Sequence, residues 1–194
     1  YKPFAQRRKR LARTLGDGVV IVPTAPERTR NADSHYDYRW DSSFYYLTGF
    51  MEPEAVVALI AADDGDRHVL FCRNKDEERE IWDGFRHGPE AAQQMFGFDE
   101  AYAIDELDGR LPDLASDRPA LFTPLGLFEP WDRKVSNVLN EVRARVRTGV
   151  AAPDQLVDIR AALDHMRLVK DEHEVAVMRR AAAISSGAHR RAME

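Results

Sequence analysis

One cysteine, six histidines and 33 acidic residues are the raw material for catalysis in this 194-residue sequence. No common catalytic pattern assembles from them. Nucleophilic chemistry needs an activated hydroxyl or thiol, and there is no Gly-x-Ser-x-Gly elbow. Cys72 closes the apolar run His68-Val69-Leu70-Phe71-Cys72, where a thiol behaves as a small buried hydrophobe rather than a nucleophile. The phosphate-cradling pattern Gly-x-x-x-x-Gly-Lys-Ser/Thr is absent. His35, His68, His87, His165, His173 and His189 never fall at the His-x-x-x-His or His-Glu-x-x-His spacing that sets two ligands on one helix face. The Asp63-Asp64-Gly65-Asp66 turn gathers carboxylates without the spaced oxygens and closing Glu of a calcium loop. Asp76, Glu77, Glu78 and Glu80 read as the acidic opening of a helix, where the dipole favours them. No metal site and no catalytic residue are therefore expected in this chain.

Two segments stand out. From Arg30 to Phe50 the chain packs aromatic residues densely between Tyr36 and Tyr46, although only 9% of the sequence is aromatic. That density suits either a local core or an interface. In Glu80-Ile81-Trp82-Asp83-Gly84-Phe85-Arg86-His87-Gly88, Trp82 lies between acidic and glycine residues. It reads either as ordinary core or as a surface or pocket-lining residue.

These segments need elements to hold them. Phe4, Leu11 and Leu15 form a stripe at helical spacing, with Arg7, Arg8, Lys9, Arg10 and Arg13 as its solvated basic face. A nucleic-acid patch is the alternative, but no aromatics interleave with the charges. Gly16-Asp17-Gly18 ends that helix, and Val19–Val22 reads as a buried strand. Residues 24–41 form a long polar loop, of the kind that often carries function. Residues 55–61 and 68–72 pattern as an antiparallel hairpin. Helices at 89–96, 106–114 and 130–147 then alternate with strands at 100–104 and 120–123. Pro153 introduces a helix over 156–166. A last helix opens at Asp171-Glu172, with Val175, Met178, Ala182, Ser185 and His189 at three/four spacing. Strands separated by helices predict an α/β fold, a mixed β-sheet flanked by helices.

Composition narrows the function. The 28 basic against 33 acidic residues give a net charge of -5, which argues against nucleic acid as the main partner. At 44% hydrophobic and 31% charged, the chain has the make-up of a folded domain and not of a disordered one. No apolar run reaches the roughly 18–20 residues of a membrane helix. A single cysteine cannot form an internal disulfide, which favours a reducing compartment and hence the cytoplasm. The chain starts at Tyr1 rather than Met, and its last helix reaches Glu194 without a cap. A piece of a longer protein is the expectation.

Three motifs in order carry a family resemblance. They are Asp33-Ser34 through Tyr38-Arg39 to Ser43-Phe44-Tyr45-Tyr46-Leu47-Thr48-Gly49-Phe50 with Glu52-Pro53-Glu54-Ala55-Val56; then Glu80-Ile81-Trp82-x-Gly84-x-Arg86-x-Gly88; then His165-Met166-Arg167-Leu168-Val169-Lys170 with Glu172-x-x-x-Val175-x-x-Met178-Arg179-Arg180-Ala181. Together they resemble the N-terminal domain of aminopeptidase P, the proline-specific aminopeptidases; prolidase, which cleaves dipeptides, is the near neighbour. The resemblance implies the creatinase-type N-terminal fold over residues 1–165. Residues 166–194 would be the linker and first helix of a catalytic pita-bread domain. It also implies two Mn²⁺ ions held in that second domain by two Asp, one His and two Glu, none of which has a counterpart here. Partners would be that domain, neighbouring subunits of a homo-oligomer and proline-containing peptides. The resemblance implies that this domain forms much of the oligomer interface and walls the pocket of a neighbouring subunit. Asp33, Trp82 and Arg147 match residues of that wall, with Asp33 and Arg147 able to pair and narrow the pocket. Local roles compete: an Asx-turn or helix cap for Asp33, a helix C-terminal cation for Arg147. Trp40 stands where similar sequences carry a polar residue. A free-standing peptide- or protein-binding module is the remaining alternative.

Overall fold

In the computed structural model the first helix, α1 (Lys2–Leu15), has Pro3 in its opening turn, where a missing N–H costs no hydrogen bond. The structure describes residues 1–61 and 65–194, so the Asp63-Asp64 half of the acidic turn lies outside it. Strand β1 (Val19–Pro23) is buried along its whole length. The polar stretch after it contains a small hairpin, β2 (Thr29–Asn31) with β3 (Ser34–His35). Helix α2 (Ser42–Thr48) starts on the Asp41 carboxylate, which accepts from the Ser43 and Phe44 amides at 2.8 Å. It stops at Gly49, whose φ of 70° is left-handed and where an added Cβ would sit 2.8 Å from the Phe4 ring.

Strands β4 (Val56–Ile60) and β5 (Arg67–Cys72) form the expected antiparallel hairpin, in register from Val56↔Phe71 to Ile60↔Arg67. Then follow α3 (Glu77–Asp83), α4 (Gly88–Phe96), β6 (Glu100–Ala103), α5 (Leu107–Ala115), β7 (Ala120–Thr123) and α6 (Glu129–Ala144). The chain ends with β8 (Gln155–Asp158), α7 (Arg160–Leu168) and α8 (Glu172–Met193). The main sheet runs β6-β5-β4-β1-β7-β8. Only β4 opposes its neighbours; the β5–β6, β1–β7 and β7–β8 pairs are parallel. The loops that leave the carboxyl ends of the parallel strands therefore gather at one edge, the usual place for a site in such sheets.

Alternation on the strands divides the core. Val20 and Val22 face Leu11, Phe44, Leu47 and Leu163 on one side of the sheet. Val19 and Ile21 face Leu111, Trp131, Val135 and Val142 on the other. The mixed α/β sheet flanked by helices is thus observed. No helix among the described residues is long and apolar enough to cross a membrane.

Three expectations need correction. Residues 156–158 are not helical: Gln155–Asp158 adds an edge strand, pairing Ala120↔Gln155 through Thr123↔Asp158. The backbone of β7 offers a hydrogen-bond ladder there, and the helix waits until Arg160. Helix α6 ends at Ala144, and a short 3-10 turn, Val146–Thr148, takes over. The basic face of α1 is not wholly solvated, because Arg7 and Arg8 are 6% and 0% exposed.

Arg7 ties α8 to the body of the domain. Its Nε and Nη2 donate to Asp171 Oδ2 at 3.0 and 2.7 Å, its Nη1 donates to the Tyr46 carbonyl at 3.2 Å, and Glu174 lies 3.7 Å away. Asp171 and Glu174 complete a capping box. Against the pull of burial, the Glu174 amide and Arg7 hold the Asp171 carboxyl below its usual range. Past that first turn α8 has no buried residue, so its three/four stripe is not a packing face in this chain. Asp171→Ala removes the cap and should cost about 1 kcal/mol. Amide exchange in residues 172–178 should speed up while the sheet amides keep their protection. Unchanged exchange in α8 would show that the cap does not hold it.

Candidate functional site

Asp33 sits at the tip between β2 and β3, beside Ala32, whose φ of 40° is strained for a side-chain-bearing residue. Trp82 lies in α3. These two segments leave the carboxyl ends of β1 and β5, so Asp33 and Trp82 share one edge of the sheet. Arg147 lies in the 3-10 turn after α6, just before β8 begins, and so belongs to the opposite edge. Asp33, Trp82 and Arg147 are all exposed. One chain does not bring Arg147 to Asp33, and neither forms an ion pair among the described residues. Trp82 is 87% exposed, which rules out core packing within this chain.

The backbone beneath Trp82 is pinned by charge. Asp76 caps α3 by accepting from the Arg79 amide at 3.0 Å. Glu80 Oε1 takes the Lys75 ammonium at 2.6 Å and the Arg86 amide at 3.1 Å. Lys75 in turn donates to the Arg86 carbonyl at 3.2 Å and holds the Glu80 carboxyl below its usual range. Further in, the buried Glu52 carboxylate accepts from the His87 amide at 2.8 Å and contacts His87 Nδ1. Arg73 lies 3.7 Å from its other oxygen. The His87 ring stands edge-on to Phe85 and Phe96. At Gly88, with φ 73°, a Cβ would lie 3.0 Å from Lys75 Cβ, so the strap needs glycine there.

The result is a fixed strap that presents apolar side chains to solvent: Ile81, Trp82 and Phe85 are 78%, 87% and 64% exposed. Exposed aromatic surface on a fixed backbone suits a contact with a partner or ligand. Sequence reasoning missed the Glu52–Arg73–His87 anchor. The available signal was the hairpin register, which sets Glu52, ahead of β4, beside Arg73, just after β5.

The reactive groups of this chain are quiet. Among the described residues no three His, Cys, Asp or Glu side chains converge as metal ligands. Cys72 is fully buried, and that burial, with Glu52 nearby, pushes its thiol up to about 12. A thiol reagent at pH 8 should therefore leave the native chain unlabelled and label it once urea has unfolded it. Stoichiometric labelling of the native chain would contradict the buried thiol.

The chain is similar to known proteins in sequence and in fold. The family model described as aminopeptidase P, N-terminal domain, matches residues 4–122. The Xaa-Pro aminopeptidase of Escherichia coli is 41% identical over 193 residues, which are 98% of this chain and 44% of that protein. Xaa-Pro aminopeptidase 3 of Dictyostelium discoideum is 30% identical over 190 residues, 95% of this chain and 34% of that one. Among solved structures, aminopeptidase P from E. coli superposes with a TM-score of 0.94 at 40% identity, covering 99% of this chain and 44% of its own. Pseudomonas aeruginosa aminopeptidase PepP gives 0.93 at 42%, with the same coverage. The chain spans less than half the length of these relatives. With its order of strands, its motifs and this match in agreement, the chain belongs to the aminopeptidase P N-terminal domain family.

Proposed function

We propose that this chain is the pocket-lining and assembly domain of a two-domain Xaa-Pro aminopeptidase. Residues 1–165 are the domain, and residues 166–194 are the linker and first helix of the catalytic part. The strap carrying Trp82 supports this reading most: an exposed indole, on a backbone held by the Lys75–Glu80–Arg86 contacts, stands on the edge of the sheet that also carries Asp33. A proline ring has no N–H to offer a peptidase cleft and a fixed φ, so an aromatic wall is a physical means of recognising it. Arg147 lies at the far edge, so a pocket that uses both Asp33 and Arg147 takes them from different subunits of a homo-oligomer. The two Mn²⁺ ions would belong to the catalytic part; among the described residues no cluster of His, Cys, Asp and Glu has the make-up of such a centre. The cytoplasm is the compartment consistent with one buried, unpaired thiol.

Hydrolysis of an Xaa-Pro peptide with added Mn²⁺, assayed on this chain and on a form extended past Glu194, tests the reading. Activity is expected in the extended form only. Activity in this chain would overturn the accessory role, and activity in neither would favour a binding module. In the extended form Trp82→Ala should raise KM about tenfold, about 1.4 kcal/mol, while unfolding stays within about 0.5 kcal/mol of the parent. Unchanged kinetics on peptides of every length would remove Trp82 from the pocket.

A further inference from the structure

A groove of about 260 Å³ opens between α2 and the first turns of α8. Its near wall is aromatic. Phe4 meets Tyr45 edge-on at 5.7 Å between ring centroids, and Trp40 lies 5.4 Å from Tyr45. Met178 of α8, 57% exposed, forms part of the far wall. Arg39 and Arg167 line it as well, and both guanidiniums are held in place by serines of α2. Arg39 Nη2 donates to Ser42 Oγ at 3.2 Å and its Nη1 to the Trp40 carbonyl at 2.6 Å, while Arg167 Nη1 donates to Ser43 Oγ at 3.1 Å.

Neither arginine forms an ion pair among the described residues. Glu174 and Arg7 line the groove too and face each other, Asp171 pairs with Arg7, and Asp41 caps α2, so the acids at the groove are already engaged. Two ordered guanidiniums without a counter-charge, beside a slot walled by aromatic rings, have the chemistry of a receptor for an anion carrying an apolar group. A planar guanidinium offers paired donors matched to a carboxylate, and rings and cations fixed in advance reduce the entropy lost on binding. The cavity falls just under the roughly 300–1,000 Å³ of drug-sized sites, so it takes about one amino-acid residue.

We propose that this groove binds a carboxylate attached to an aromatic or large apolar side chain, as at the C-terminus of a peptide. Arg39 and Arg167 take the carboxylate, and Phe4, Trp40 and Tyr45 take the side chain. The proposal rests on residues of α1, α2, α7, α8 and the loop before α2, and does not depend on the reading of Trp82.

A titration of the 194-residue chain with N-acetylphenylalanine, followed by amide and arginine Nε–H NMR signals, tests it. Saturable shifts are expected in residues 39–46 and at both arginines, with a Kd of about 1 mM. On the unaltered protein, N-acetylphenylalaninamide, which lacks the carboxylate, and acetate, which lacks the ring, should each bind about tenfold more weakly. Arg39→Gln and Arg167→Gln should each weaken the acid about tenfold, while Arg10→Gln should not. Shifts that do not saturate, equal binding of the amide or of acetate, or full affinity in both glutamine variants would each overturn the site.

Discussion

Arg8→Met should destabilise the domain by about 3–5 kcal/mol, because it leaves buried carbonyls unpaired at about 1–3 kcal/mol each. Arg8 is completely buried. Its Nη1 donates to the Leu47 carbonyl at 3.1 Å, and its Nη2 to the Phe96 and Gly97 carbonyls at 3.3 and 2.5 Å. These are orphan carbonyls at the C-terminal ends of α2 and α4, where the helix dipoles are negative. One guanidinium thus caps two helices and joins both to α1, with its flat face 4.2 Å from the centre of the Phe98 ring. Burial pulls its pKa down to about 10 while Asp99 pulls it back up, so it remains charged near neutrality. Methionine would fill much of the space, yet it leaves carbonyls dry and unpaired, which is why the usual tolerance of ion-to-hydrophobe swaps does not extend to this site. At about 2–4 °C per kcal/mol for a domain this long, Tm should fall by about 10–15 °C. Thermal or urea unfolding followed by circular dichroism measures the change, and a loss under about 1 kcal/mol would show that the caps are dispensable.

Arg8 also marks what was legible in the sequence. Position 8 falls between Phe4 and Leu11 on the stripe identified as apolar, so helical periodicity already placed it inward. The run of like charge around it concealed this, because such runs are usually solvated. Strands β1, β4, β5 and β7 were legible because each is buried along all or nearly all of its length and must be apolar on both faces. Strand β8 was not: it is an edge strand with Gln155 and Leu156 exposed, and short apolar content after a proline fits a helix start equally well. For the candidate site, the family motifs pointed to Trp82 and Asp33. The exposure of Trp82 and the position of Arg147 at the other edge follow from sheet order, which local patterns do not encode. The Glu52 anchor joins residues 35 apart in the chain, so only the register of the β4–β5 hairpin, and no local pattern, pointed to it.

The same buried patch should make the domain acid-sensitive through His68. This side chain is 4% exposed in β5, and its Nε2 has no partner among the described residues. Its amide donates to Asp99 Oδ2 at 2.7 Å, while its Nδ1 stays 3.9 Å from that oxygen. Burial, then Arg8 and more weakly Lys9, pushes its pKa down from 6.5 to about 4; Asp99 and Asp66 oppose them without prevailing. The sign follows from proton counting. Between about pH 4 and 6.5 the unfolded chain holds a proton on His68 that the folded chain refuses, so stability rises with pH across that window and is lost as pH falls through it. From pH 7 to pH 5 the loss should be about 2 kcal/mol. His68→Gln keeps a neutral polar group and should remove that slope, leaving a pH-independent packing cost. Carboxyls held low, such as Asp158 and Asp171, lose their contribution at lower pH and do so in both proteins. Urea unfolding at pH 7 and pH 5 measures the difference, and equal pH slopes for parent and variant would show that His68 titrates normally. Because Arg8 helps to keep His68 neutral, Arg8→Met should itself flatten the slope, so the two substitutions will not add: the second removes part of a penalty that the first has already reduced.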